Sequence, residues 1–282
     1  MFAFTNYQAV IKSLLFFWLL FSCIGGGLVG QQAALQAERA HLQALSMQVD
    51  QAMRSDILTD LVKMLRVELP PGLSTDIFRS EVFLLASQVY QKQNDFPAAF
   101  QYIDSSMQLV RRYYPEYSIA VLPQMDQYAF LLDLYTGQYE TAISLREKIC
   151  EHLETIPLRQ QIEHHEEVLV SNLIRLADLK DRTGEEEQAS RRMQEAAQII
   201  QNPAVSDENY YRFQLFRLHF FYHHGNIERA EKLAKTLLEG TSPREISDQQ
   251  LPALQALYGN ILYGLGQMDS AEHFYQQALS GY

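Results

Sequence analysis

The chain has 282 residues, 47% hydrophobic and 20% charged, the balance of a folded protein and not of a disordered one. Its formal net charge is −11, and no run of Lys or Arg exceeds two residues, which argues against nucleic acid as a partner. The two cysteines, Cys23 and Cys150, lie outside any CxxC or Cys/His ligand spacing, so neither a disulfide framework nor a zinc site is indicated. Cys150 reads as a small core residue.

Residues Ser13 to Gly30 form an uncharged apolar run, SLLFFWLLFSCIGGGLVG, preceded by Lys12 and followed first by Glu38 and Arg39. Positive charge on its N-terminal side predicts that the rest of the chain is exported across a membrane. Three readings of the segment 1–30 stay open. It serves as an uncleaved signal anchor, as a signal cleaved after Gly27, or as a lipoprotein signal with Cys23 lipidated. Leu20-Phe21-Ser22-Cys23 resembles a bacterial lipobox, with Phe21 departing from the usual small or β-branched residue.

Residues 31–70 read as a helical connector or N-terminal cap. Gln31 to Leu69 contains no Gly or Pro and is rich in Ala, Gln and Leu. Leu35, Leu42, Leu45 and Val49 form a heptad-like stripe. Such a stripe serves either a dimeric coiled coil or a helical cap on the first repeat of the chain, and its shortness favours the cap. Pro70-Pro71-Gly72 ends the segment.

From about residue 78 onward the chain repeats. Asn94, Gly137, Gly184, Gly225 and Gly266 are each followed five residues later by an alanine: Ala99, Ala142, Ala189, Ala230 and Ala271. Each turn lies between two helical runs, and the turns are 43, 47, 41 and 41 residues apart. In the first unit Phe83, Ser87 and Tyr90 share one stripe, and Ala99, Ile103 and Ser106 another. The second unit carries one extra residue before its turn. Longer connections are expected at Pro115 to Pro123 and at Asn202 to Glu208.

This pattern resembles the tetratricopeptide repeat, in which a bulky residue, a small residue and an aromatic mark helix A, a Gly-centred turn follows, and an alanine marks the crossing with helix B. The spacing is similar to the long variety of about 42 residues found in kinesin-light-chain-like repeats, not the usual 34. The resemblance covers residues 78–282. It implies an all-α fold: a right-handed superhelical α-solenoid of about five helix hairpins, with helix A lining the concave wall. The chain stops at Tyr282 with no polar capping helix, so an apolar C-terminal edge and a homodimer are expectations as well.

No catalytic constellation is legible. Glu163-His164-His165-Glu166-Glu167 lacks the HExxH spacing, and adjacent helical histidines point about 100° apart. His223-His224 suit the negative end of a helix without further purpose. No P-loop, GxGxxG or Gly-x-Ser-x-Gly occurs, and no cofactor or metal is called for. The resemblance places partner-binding residues on the inner face of helix A. Projected from the turns, these are Gln88, Gln91 and Lys92; Asp178, Asp181 and Arg182; Arg212, His219, Tyr222 and His223; and Asn260 and Tyr263. A Lys/Asn carboxylate clamp is absent at Leu84 and Gln88, which argues against recognition of chaperone tails. The expected function is a non-catalytic scaffold for protein partners, held at a membrane with the solenoid on the exported side (the periplasm in a bacterium). The alternative is a sensory module that changes curvature or oligomeric state on binding a peptide or small ligand.

Overall fold

The computed structural model describes residues 29–48, 55–67, 69, 71–115, 118–156, 165–240, 244, 246 and 250–281. The apolar run ending at Gly30 lies almost entirely outside them, as do Cys23, Val49 and the Glu163-His164 pair. Among the described residues all regular structure is helical, and no helix is long and apolar enough to cross a membrane. Contacts divide the chain into two units, one up to His165 and one from Glu166 onward.

In the first unit, α1 (Val29–Gln48) and α2 (Ser55–Arg66) precede the hairpin α3 (Leu73–Lys92) and α4 (Phe96–Val110). A second hairpin follows: α5 (Leu122–Leu131), continued by a π-turn (Leu132–Thr136), and α6 (Tyr139–Thr155). Leu42 and Leu45 of α1 and Ile57, Leu61 and Met64 of α2 pack with Phe78, Val82, Leu85 and Val89 of α3, with Leu35 at the margin. The heptad-like stripe therefore covers α3 of its own chain. Cys150 is buried in α6.

In the second unit three hairpins follow: α7 (His165–Arg182) with α8 (Glu186–Ile199), α9 (Asp207–His223) with α10 (Ile227–Leu238), and α11 (Leu251–Gly264) with α12 (Met268–Ser280). The connection before α9 is pinned from two sides. Glu167 accepts from the backbone N–H and the hydroxyl of Ser206, while the Ser206 hydroxyl oxygen in turn caps α9 by accepting from Asn209 N–H. Arg244 donates to the carbonyls of Asn202, Val205 and Ile200 and lies over the Tyr210 ring.

Every hairpin turns in the same way. Asn94, Gly137, Gly184, Gly225 and Gly266 all take positive φ, between 61° and 84°. Asn94 is the sole residue other than glycine to do so among those described, and asparagine tolerates this region better than most residues. The next amide then reaches back over the helix end: Asp95 to the Tyr90 carbonyl, Glu185 to Lys180, Asn226 to Phe221 and Gln267 to Leu262. These bonds satisfy carbonyls that the helix end would leave open. In the second hairpin the bond runs from Gln138 to Leu132, one residue further back. The π-turn absorbs the extra residue that the sequence shows there.

The alanine five residues on closes the first turn of helix B. Each donates its N–H to the carbonyl of the residue after the turn, as Ala99 does to Asp95 and Ala230 to Asn226. All five alanines are buried. Opposite them, seven residues before the turn, stand small residues in the first, third and fifth hairpins: Ser87, Ala177 and Gly259. In the second the small residue is Ala129, eight before the turn, displaced by the π-turn. Small residues on both helices let the two backbones approach closely.

Candidate functional site

In the second unit the first helices of the three hairpins, α7, α9 and α11, carry nine of the twelve residues expected on the binding face. Asp178 and Arg182 end α7, both exposed, and pair with each other at 3.4 Å. An exposed i,i+4 pair of this kind contributes about 0.3–0.5 kcal/mol, so it yields readily to a partner. Asp181 is half-buried and turned toward α9, where its carboxylate meets His224 Nε2 at 2.7 Å. Glu186 approaches Nδ1 of the same ring at 3.3 Å. Arg212 sits low on α9 and is engaged, donating to Glu208 at 2.8 Å, Asn209 at 3.1 Å and Ser171 at 3.4 Å. It ties α9 to α7.

The open part of the face is aromatic. His219 and His223 are exposed one turn apart on α9, with parallel rings 5.9 Å between centroids. Loss of surrounding water, and then the proximity of His223, hold the His219 imidazole below its ordinary pKa. Tyr222 packs edge-on to His223 at 5.6 Å. It also reaches α11, where a side chain at Gly264 would begin 3.4 Å from its ring. Tyr263 on α11 is 59% exposed. Tyr275 of α12 donates to Asn260 Oδ1 at 2.8 Å. Burial raises the Tyr275 pKa, and the nearby Tyr222 and Tyr263 raise it further. The three phenols thus share one neighbourhood. Behind them Arg217 lies over the faces of Phe213 and Phe221 at 5.6 and 5.7 Å, where burial lowers its pKa.

The first unit differs from the sequence expectation. Gln88 and Gln91 were expected on an open wall, and both are buried, at 3% and 8% exposure. Gln127 of α5 donates to Gln91 at 2.8 Å and to the Ser87 hydroxyl at 3.4 Å, so helix A of the second hairpin covers that face of α3. Gln124 similarly donates to Ser80, which shares a hydrogen bond with Ser106 at 2.9 Å. Lys92 remains half-buried at the end of α3. Deeper in, Asp126 and Arg146 form a buried ion pair between α5 and α6. Exposed large apolar side chains of this unit include Leu134 and Tyr135, 52% and 49% exposed on the π-turn, with Tyr135 stacked on Phe96 at 5.2 Å. The projection passed over them, although the extra residue before Gly137 was a visible signal that this helix end departs from its neighbours.

Among the described residues no group of three or more His, Cys, Asp or Glu side chains is arranged around a common point. The exposed surface offers rings, amides and carboxylates for contact.

No protein-family model and no curated protein matches the chain. Solved structures do. BtubC of P. vanneervenii superposes with a TM-score of 0.57 over 84% of this chain and 91% of its own, at 16% identity. A putative kinesin light chain of P. anserina with nearly identical TPR-like repeats gives 0.54 over 72% and 94%, at 14% identity. The apo form of RapI gives 0.54 over 87% and 97%, at 14% identity. With the turns and crossings described above, these similarities define the fold as a TPR-like α-solenoid.

Proposed function

We propose that this chain is a non-catalytic scaffold that holds extended or helical segments of partner proteins on the α7–α9–α11 face of its second unit. TPR-like folds serve in general as protein-interaction scaffolds, which supports the broader part of this reading. The observation that carries the finer part is the aromatic opening formed by His219, Tyr222, His223 and Tyr263. Large, stiff amphipathic side chains of this kind dominate the energetics of protein interfaces. Polar groups at the margin, Asp178, Arg182 and Asn260, fix register by hydrogen bonding. Affinity capture with the wild-type chain and with Tyr222→Ser/Tyr263→Ser tests the reading. Proteins held by the wild type and lost with the double variant support it; an unchanged set of captured proteins contradicts it.

The N-terminal segment holds this scaffold at a membrane in the same proposal, on the strength of its uncharged apolar run after Lys12. Intact-mass measurement of the membrane-extracted protein separates the readings. An acylated N-terminal Cys23 marks a lipoprotein, a retained Met1 segment marks an anchor, and an unmodified shorter chain in the aqueous fraction contradicts membrane attachment.

A further inference from the structure

We propose that His219 and His223 form a chelate for a borderline transition-metal dication, Zn2+ in the first instance, with water completing its coordination. The spacing is i,i+4, the one that puts two histidines on one helical face and that zinc sites on helices use. Neither side chain is spent elsewhere in the core: both are exposed, and their rings lie parallel within 10° at 5.9 Å. An ion bound roughly 2.0–2.1 Å from each imidazole nitrogen at a tetrahedral angle places the two ring centroids about 5 Å apart. The present separation is 5.9 Å, and each side chain turns about its own bonds to bring one ring nitrogen to the ion.

His224 is the contrasting neighbour. It is one residue on and points elsewhere, held between Asp181 and Glu186 and against Phe220 at 4.5 Å. The sequence reading weighed His223 together with His224 and not with His219 one turn back. Two protein ligands leave the coordination open, which separates this site from the closed four-ligand sites that hold folds together.

The site shares His219 and His223 with the proposed binding face but does not rest on partner binding. Capture experiments in a chelator-containing buffer report on the face alone, and metal titrations without partner report on the chelate alone. The test is titration of the full-length chain with Zn2+ against a chromophoric competitor, for the wild type, His219→Gln, His223→Gln and His224→Gln. The expected result is one Zn2+ per chain, affinity at least tenfold weaker in each of the first two variants, and no change in the third. Equal affinity in all four proteins overturns the proposal. Electron paramagnetic resonance of the Cu2+-loaded wild type provides a reading that needs no variant. Coupling to two imidazole nitrogens supports the chelate, and coupling to one or none overturns it.

Discussion

Ser87 of α3 donates its hydroxyl hydrogen to the backbone carbonyl of Ala99 on α4 at 2.8 Å. Both residues are fully buried, and the bond records how closely the two helices cross. Enlarging either partner must push the helices apart. Ala99→Leu is expected to lower stability by about 2–3 kcal/mol, the range for inserting several methylenes into a packed core. Ser87→Ala removes this bond and the longer one accepted from Gln127, and is expected to cost about 1–2 kcal/mol. Urea denaturation of both variants checks the order; an Ala99→Leu chain as stable as the wild type would show that the crossing is loose.

Glycine has opposite meanings at two positions of the second unit. Gly184 has φ of 84° with open space around it, so Gly184→Ala is strained by backbone conformation alone, by about 1 kcal/mol. Gly259 is helical, and alanine there would gain about 1 kcal/mol of helix propensity. Its added methyl would lie 2.6 Å from the Tyr275 ring, which itself bonds Asn260. Gly259→Ala is therefore expected to destabilise the chain and to free the Tyr275 hydroxyl. Thermal unfolding separates the two cases, since a stabilised Gly259→Ala variant would mean that Tyr275 moves aside at no cost.

Glu81 titrates against stability. One of its carboxylate oxygens is buried without a hydrogen-bond partner. Burial raises its pKa from 4.5 to about 7, with Arg39 pulling the other way. The folded state thus prefers the protonated acid. The Glu81 contribution is fully present below pH 4.5 and is lost as pH rises from there to about 7. Glu81→Gln is expected to match the wild type at pH 4.5 and to exceed its stability at pH 8 by up to about 3 kcal/mol. Denaturation curves for both proteins at the two pH values measure this; a constant difference between them would place the charged carboxylate in contact with water.

The hairpins were legible in the sequence because their constraints are local. A positive-φ residue and an alanine five positions later are needed within one turn of chain, so Asn94 and Ala99 could be read together. The burial of Gln88 and Gln91 was not legible, because it depends on Gln127, which is 36 residues from Gln91. The π-turn adds one residue between Gln127 and Gly137, and one helical residue turns a face by about 100°. Projection from the turn leaves Tyr222 half-buried and Tyr263 exposed, whereas it put Gln88 and Gln91 on an open wall that the neighbouring helix in fact covers. The His219–His223 pair was visible as a spacing, but only the parallel exposed rings distinguish it from the engaged His224.

The proposed binding face of the second unit is tested most directly by photo-crosslinking from single positions. A photoreactive residue in place of Tyr263 on α11 is compared with one in place of Lys232, an exposed position on α10, in the full-length chain in its native membranes. Discrete protein adducts from position 263, absent from position 232, are the predicted result. Adducts from position 232 alone, or the same adducts from both, would contradict a partner seated on the α7–α9–α11 face.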